Sequence, residues 1–355
     1  METIKRRLTR QIKLGNVLIG GGAPISVQSM LSVPTSDISA ALSQIHSLEK
    51  VGCEIIRFSV ETIADIPSIY EFKKETHIPL VADIHFDYKL ALAALQAGVD
   101  GLRINPGNIG SRDKVEAVAK SAKERGVPIR IGVNSGSLPK ELLAKYGLRS
   151  EAMVEAALSH IRILEDIGFE AIKVSVKASQ VPLMLASYRA LSQKIDYPLH
   201  LGVTEAGTLL SGSVKSALAL GILLEEGIGD TIRVSLTADP VKEVMVGKQI
   251  LQNLGLRKGL QIISCPTCGR THINLMRLAE EVESALQEYA NLPLTIAVMG
   301  CAVNGPGEAR EADFGIAGGV GEGLIFAKGK IIKKVPEDRL VAELIQLIKN
   351  WKESV

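Results

Sequence analysis

Eight short runs of β-branched and other aliphatic residues recur along the chain, and a helical pattern separates each run from the next. The intervening segments carry apolar residues at positions i, i+3, i+4 and i+7, as helices that pack on a sheet do. Eight strand–helix units match a (β/α)8 TIM barrel, whereas a doubly wound sheet usually stops at about five or six strands. The predicted strands are 25–30, 55–60, 80–84, 101–105, 129–134, 171–176, 199–204 and 231–236.

Four of these runs share one pattern: an acid, any residue, an aliphatic, a base, an aliphatic and a small polar residue. The four copies are residues 54–59, 100–105, 170–175 and 230–235. Repetition at strand spacing supports the barrel. Because side chains alternate along a strand, the aliphatic positions pack on the helices and the basic positions face the interior. The predicted interior bases are Arg57, Arg103, Lys173 and Arg233, with Arg130 from the fifth strand.

Five cations directed into one barrel require a negative partner, because desolvating an unpaired charge costs several kcal/mol. Asp83 and Glu205 lie at the ends of the third and seventh strands and could neutralise part of this charge in a structural ion-pair lattice. The alternative that we favour is a phosphate-rich ligand at the carboxyl-terminal mouth of the barrel. Candidate ligand-binding residues are Arg57, Arg103, Asn105, Arg130, Asn134, Lys173, Ser175 and Arg233. Glu205 is the candidate catalytic acid or base.

After about residue 250 the pattern changes, and three of the four cysteines fall in this part of the chain. Cys265 and Cys268 form a Cys-Pro-Thr-Cys pair, and Cys301 follows a predicted strand in a loop rich in glycine. Such loops let the backbone approach an inorganic core. We therefore predict a redox-active [4Fe–4S] cluster held by three thiolates. The predicted division is a barrel over residues 1–252 and a small α+β iron–sulfur domain over residues 253–355.

Three thiolates leave the identity of the fourth ligand open. A structural zinc site could recruit His272, because structural zinc requires four ligands. Cys53 precedes the second strand, at the end of the barrel opposite the mouth, and is more simply a buried small residue.

Composition limits the remaining classes of function. The 41 Lys and Arg nearly balance the 39 Asp and Glu, so the net charge of +2 does not indicate a nucleic-acid or membrane partner. The sequence has no apolar run of about 18 residues, the length that a transmembrane helix requires. Few cysteines, clustered at one site, are typical of a reducing compartment, and we expect the protein in the cytoplasm.

Six longer motifs resemble one family, the (E)-4-hydroxy-3-methylbut-2-enyl diphosphate synthases of isoprenoid biosynthesis. The resemblance spans nearly the whole chain, and one of its two longest motifs surrounds Cys301. The motifs are GGAPISVQSM at 21–30, ADIHF at 82–86, LRINPG at 102–107, GVTEAG at 202–207, SCPTCGR at 264–270 and MGCAVNGPGE at 299–308.

This resemblance implies reductive opening and dehydroxylation of 2-C-methyl-D-erythritol 2,4-cyclodiphosphate, with electrons from flavodoxin or ferredoxin. It also implies that Glu308 is the fourth cluster ligand. Arg270 and Asn304, from the cluster loops, would reach the substrate. A homodimer is expected, in which the barrel of one chain faces the cluster domain of the other.

Two alternatives remain at this point. One is a barrel lyase or hydrolase that acts on a phosphorylated substrate and carries a structural zinc domain. The other is a cluster-bearing sensor, which the near-neutral charge and the lack of a recognisable DNA-binding helix pair disfavour.

Overall fold

The structure, a computed structural model, describes residues 4–271, 273–301 and 309–353. The chain divides into two compact units, Met1–Leu256 and Arg257–Val355.

The first unit contains eight parallel strands that form a barrel. Seven parallel pairings join them in the order β8, β7, β6, β5, β4, β3, β10, β9. A further parallel bridge between Val174 and Leu199 links the two ends of this order and closes the ring. The strands are β3 (Ser26–Met30), β4 (Ile55–Ser59), β5 (Leu80–Asp83), β6 (Gly101–Ile104), β7 (Ile129–Asn134), β8 (Ile172–Lys177), β9 (His200–Leu201) and β10 (Thr231–Ile232).

Helices surround the barrel and bury the aliphatic face of each strand. Ile56 and Phe58 of β4 and Leu102 and Ile104 of β6 are buried in the core that the strands share with the helices. The helices are α1 (Ile38–Lys50), α2 (Ile66–Glu75), α3 (Tyr88–Gln96), α4 (Pro106–Ile109), α5 (Arg112–Arg125), α6 (Lys140–Tyr146), α7 (Ser150–Asp166), α8 (Val181–Ser192), α9 (Leu209–Glu225) and α10 (Pro240–Asn253).

A short hairpin covers the amino-terminal end of the barrel. It consists of β1 (Ile12–Leu14) and β2 (Val17–Ile19), which pair in antiparallel register. Ile12, Leu14 and Ile19 pack with Ile55 and Val81, which begin barrel strands. The amino-terminal end is therefore sealed by apolar packing, and the opposite end is left for a ligand.

In the described residues, the second unit forms a five-stranded mixed sheet with two α-helices. The strands β11 (Gln261–Ser264), β12 (Thr295–Met299), β13 (Phe314–Gly318), β14 (Glu322–Ala327) and β15 (Lys330–Pro336) lie in that order. The first three are mutually parallel, and β14 and β15 continue the sheet in antiparallel register. The helices α11 (Leu275–Ala285) and α12 (Leu340–Glu353) share a buried apolar cluster with the sheet.

The predicted barrel, followed by a small α+β unit, is confirmed. Strand ends differ most at β9 and β10, which have only two residues each where the sequence predicted six. The β1–β2 hairpin and β11 were not predicted, because their strands have only three or four residues each. Among the described residues, no helix is long and apolar enough to span a membrane.

Candidate active site

A row of polar residues crosses five neighbouring strands of the barrel. In the parallel register, Ser59 lies opposite Asp83, and Asp83 lies opposite Arg103. Arg103 in turn lies opposite Arg130, which lies opposite Lys173. The row thus brings Arg103, Arg130 and Lys173 to adjacent positions on β6, β7 and β8, whereas Arg57 lies opposite Val81.

Asp83 lies between two of the arginines. Its carboxylate accepts a hydrogen bond from Arg103 Nη1 at 2.9 Å, and Arg57 Nε lies 3.5 Å from the other oxygen. His85 Nε2 is 3.6 Å from that oxygen. Burial opposes the charged carboxylate, but Arg57, His85 and Arg103 together hold the pKa of Asp83 well below its usual range. Asp83 therefore remains ionised and fixes both guanidinium groups.

The single carboxylate of Asp83 does not neutralise Arg57, Arg103 and Arg130 together. Burial lowers the pKa of Arg57 to about 10, and burial together with repulsion from Arg57 and Arg103 lowers the pKa of Arg130. Arg130 donates to Ser175 Oγ at 2.7 Å, while its Nε and Nη2 have no hydrogen-bond partner within the described structure. Buried donors in excess of acceptors are what a site for a polyanion requires.

The structure places two lysines of β8 at different levels of the barrel. Lys173 lines a small enclosed cavity with Leu14 of the hairpin and Gln28, so it lies toward the amino-terminal end. Burial and the nearby Arg130 lower its pKa to about 7. Lys177 is the last residue of β8, is buried, and lies opposite Asn134 in register. Burial and the surrounding cations, Arg130 first, lower the pKa of Lys177 as well.

Lys177 was not singled out from the sequence, although a signal for it exists. It follows Lys173 and Ser175 at spacing two on the same strand, and alternation places all three on the interior face. The repeated motif ends at Ser175, so it includes Lys173 but not Lys177.

Two glycines provide the space for these long side chains. A Cβ at Gly132 would lie 2.6 Å from Arg103 Nε, and a Cβ at Gly202 would lie 2.6 Å from Lys177 Nζ. The Cβ at Gly202 would also lie 2.7 Å from the Arg233 carbonyl oxygen, so Gly132 of β7 and Gly202, the residue after β9, leave room where a cation passes.

Arg233 is accompanied by a carboxylate that was not predicted. Glu243, a buried residue of α10, lies 3.7 Å from Arg233 Nη2 and accepts hydrogen bonds from Ser29 Oγ and the Leu236 N–H, both at 2.9 Å. Because Glu243 belongs to a helix, the alternation of side chains along the strands does not indicate it.

The remaining predicted residues of the barrel lie near the carboxyl ends of strands. Asn105 follows β6 and is buried, and Asn134 ends β7. Glu205 lies beyond β9, is exposed to solvent, and has a left-handed backbone with φ of 53°. A positive φ at a residue other than glycine is uncommon and is concentrated at functional sites. The predicted Glu205 is therefore at the rim of the barrel, whereas Asp83 is inside.

In the second unit, two adjacent parallel strands bring the cysteine segments together. Cys265 follows β11, and its N–H donates to Val298 O of β12 at 3.3 Å, while Cys301 lies just past the end of β12. The Gly300 N–H donates to Cys265 Sγ at 3.1 Å. Backbone hydrogen bonding at Arg270 lowers the pKa of Cys268. Thiolate sulfurs that accept N–H groups fit the donor set of an iron–sulfur cluster.

The described residues form only part of that centre. Within them, no three His, Cys, Asp or Glu side chains lie close enough to hold a metal ion by themselves. The predicted Asn304 and Glu308, and the alternative zinc ligand His272, lie outside the described residues. Arg270 is described and is exposed to solvent.

Comparison with known proteins identifies the family. A family model described as the GcpE TIM-barrel domain matches residues 9–248, and one described as the GcpE protein C-terminal domain matches residues 261–350. The chain belongs to the GcpE family.

Several curated relatives carry the name 4-hydroxy-3-methylbut-2-en-1-yl diphosphate synthase (flavodoxin). The relative from Geobacter sulfurreducens is 60% identical over 346 residues, which cover 96% of this chain and 98% of the relative. The relative from Clostridium perfringens is 57% identical over 349 residues, covering 98% of this chain and all (100%) of the relative. The family resemblance inferred from the sequence motifs is confirmed.

Among solved structures, a dihydropteroate synthase from Yersinia pestis superposes with a TM-score of 0.52 at 15% identity. The match covers 69% of this chain and 97% of that one. At this identity the likeness concerns the barrel fold alone.

Proposed function

We propose that the protein catalyses the reaction for which its GcpE relatives are named, the formation of 4-hydroxy-3-methylbut-2-en-1-yl diphosphate in isoprenoid biosynthesis. The substrate is 2-C-methyl-D-erythritol 2,4-cyclodiphosphate, which takes up two electrons and two protons, opens its ring and loses one water. The observation that carries the proposal is the row of buried cations in the barrel, which Asp83 balances only in part and a diphosphate would balance further.

The cyclic diphosphate would bind at the carboxyl-terminal mouth. Arg57 and Arg103, held by Asp83, and Arg130, held by Ser175, would direct their free N–H groups at phosphate oxygens. Lys177 would add a charge from the end of β8, and Arg233 one from the end of β10. Asn105 and Asn134 would hydrogen-bond to the substrate. Lys173, which lies nearer the amino-terminal end of the barrel than Lys177, would attract the diphosphate electrostatically without touching it.

The second unit would hold the [4Fe–4S] cluster through Cys265, Cys268 and Cys301, with Glu308 as the fourth ligand that the resemblance implies. The Gly300 N–H that donates to Cys265 Sγ supports this assignment. When bound, the cluster would supply the two electrons one at a time. Arg270 and Asn304 would extend the substrate site from the cluster side.

Glu205 would deliver a proton to the departing oxygen or stabilise charge as the C–O bond breaks. Its exposed position at the rim of the barrel allows exchange of protons with water between turnovers. The cations below it hold the diphosphate in place, so the reacting carbon stays in one position relative to Glu205.

We further propose that flavodoxin is the electron donor, because the relatives' names specify it, with ferredoxin as the alternative. The protein would act in the cytoplasm as a homodimer, with the barrel of one copy facing the cluster unit of the other.

Anaerobic purification followed by assay with reduced flavodoxin tests the proposal. We expect a brown protein with broad absorbance near about 400 nm, as thiolate-ligated clusters show, and turnover of the cyclic diphosphate. Cys301→Ser should lose the absorbance and the activity while keeping the barrel folded. A colourless protein that contains zinc would instead support a lyase or hydrolase with a structural zinc domain.

A further inference from the structure

A small enclosed cavity lies in the interior of the barrel. Three polar side chains line it, Gln28 of β3, Arg130 of β7 and Lys173 of β8. The rest of its wall is mostly apolar and includes Leu14 of the β1–β2 hairpin and Leu102 of β6. Because the hairpin forms part of the wall, the cavity lies toward the sealed, amino-terminal end of the barrel.

The polar groups of this cavity lack partners among the described residues. Gln28 is 1% exposed, and neither its amide nitrogen nor its amide oxygen has a hydrogen-bond partner there. The same holds for Arg130 Nε and Nη2, and Lys173 Nζ lies 3.5 Å from Thr231 Oγ1, a long hydrogen bond. Buried donors without acceptors cost free energy, because burial removes the water that would accept from them. A ligand that accepts several hydrogen bonds would offset that cost.

The carboxylate that acts most on Lys173 is already engaged by other groups. The charge of Asp230 raises the pKa of Lys173 but does not reverse the lowering by burial. Its oxygens accept hydrogen bonds from Thr9 Oγ1 at 3.0 Å, the Leu199 N–H at 2.8 Å and Arg6 Nη2 at 3.3 Å. Within the described residues, Lys173 therefore forms no close ion pair with Asp230.

The size and the donors of the cavity indicate the class of ligand. The space open to the centre of a water-sized sphere is about 10 Å³, close to the minimum for one water molecule. A diphosphate does not fit there, so the cavity is separate from the proposed substrate site. A water molecule must also donate hydrogen bonds, and of the three polar side chains only Gln28 offers an acceptor. A single-atom anion needs only donors.

We propose that this cavity binds a halide ion, chloride under ordinary conditions, held by Lys173, Arg130 and the side-chain amide of Gln28. The ion accepts charge-assisted hydrogen bonds and neutralises part of the interior charge. Arg130 carries five N–H groups, so it serves both this ion and a substrate phosphate. Because the site exists only in the folded barrel, halide binding stabilises the fold.

Thermal unfolding of the cluster-loaded protein, purified anaerobically, tests the proposal in solution. Sodium chloride is exchanged for sodium gluconate at constant ionic strength, because gluconate is too large for the cavity. The measurement is made at about pH 6, where Lys173, whose pKa is about 7, carries its charge. Raising chloride from about 10 to 100 mM should raise the melting temperature by about 3 °C. Equal melting temperatures in the two salts would overturn the proposal.

Three variants locate the ion within the barrel. Lys173→Met and Gln28→Leu each remove a donor from the cavity and should lose the response to chloride. Lys177→Met, at the carboxyl end of β8, is the matched control and should keep it. The two salts are compared within each variant, so its overall stability does not enter, and Gln28→Leu decides the matter if Lys173→Met does not fold. A response lost only in Lys177→Met would place the anion at the mouth and overturn the proposal.

Crystals of the same protein grown in sodium bromide locate the ion directly, because bromide scatters anomalously. We expect an anomalous peak bounded by Lys173, Arg130 and Gln28. A water molecule in the cavity without an anomalous signal would contradict the proposal. So would a peak without a chloride response in solution, since the halide would then bind at crystal concentration only. None of these measurements depends on turnover, so a halide site would stand even if synthase activity were absent.

Discussion

The guanidinium of Arg103 crosses directly over Gly132 of the neighbouring strand. The hydrogen of Gly132 leaves room for Arg103 Nε, where a Cβ would come within 2.6 Å. Arg103 is thereby held between the carboxylate of Asp83 and the backbone of β7. Its Nη2 donates a hydrogen bond to the Gly132 carbonyl oxygen at 3.5 Å. The position of a proposed substrate-binding group thus depends on the absence of a side chain on another strand.

Replacing Gly132 by alanine should displace Arg103 while leaving every charge in place. We expect kcat/KM for the cyclic diphosphate to fall by about 10-fold to 100-fold, because a displacement near 1 Å is enough for such a loss. Steady-state kinetics with reduced flavodoxin measure it. Gly136→Ala is the control, since a Cβ there meets nothing within 4 Å. Equal activity of both variants would contradict the proposed role of Arg103.

Asp83→Asn should destabilise the barrel in a way that depends on pH. Leaving Arg57 and Arg103 without their carboxylate costs about 3–5 kcal/mol at pH 7. Because the pKa of Asp83 is lowered in the folded protein, its contribution is complete above the unfolded pKa of about 3.9 and is lost as the pH falls further. In urea unfolding, the free energy of unfolding of Asp83→Asn should be lower than that of wild type by the same amount at pH 7 and pH 5. This difference should shrink below about pH 4. A deficit independent of pH would argue against this ion pair.

Lys177→Met should weaken substrate binding more than Lys173→Met does. The first removes a charge at the carboxyl end of β8, and the second removes one beside the apolar hairpin. We expect the dissociation constant for the cyclic diphosphate to rise by about 10-fold to 100-fold for Lys177→Met, in the range for a buried charged partner, and by less for Lys173→Met. Isothermal titration calorimetry distinguishes them. The reverse order would assign direct contact to Lys173.

Lys173 should make the stability of the protein depend on pH above neutrality. Its pKa is about 7 in the folded protein, so between pH 7 and about 10 the unfolded chain binds one more proton at this residue. Stability therefore rises with pH in that window, by up to about 1.4 kcal/mol per pH unit. In urea unfolding, Lys173→Met should remove this slope relative to wild type. Parallel profiles for the two proteins would exclude a lowered pKa.

Glu205→Gln should abolish turnover while the cluster and substrate affinity persist. Loss of a positioned acid reduces kcat by about 100-fold to 10,000-fold. The absorbance near about 400 nm, which reports cluster loading, should be unchanged. Glu141→Gln, which alters another exposed carboxylate, is the control. Normal kcat in Glu205→Gln would leave Glu205 without a catalytic role.

Much of this protein was predictable from its sequence because the relevant signals are local. Alternation along each strand determined that Arg57, Arg103 and Arg130 face the interior, and the eightfold alternation of strand and helix determined the barrel. The motifs around Cys265 and Cys301 determined the family. Each of these follows from periodicity or from a short run of residues, and none requires knowledge of which strands are neighbours.

The tertiary structure decided which of these residues meet. The register between β5 and β6 placed Asp83 beside Arg103, and the packing of the hairpin on the barrel placed Leu14 near Lys173. Glu243 reached Arg233 from a helix, and the β1–β2 hairpin sealed one end. These relationships depend on strand shear and on contacts between distant segments, so the sequence alone specified the interior charges while the closed barrel determined how they are paired.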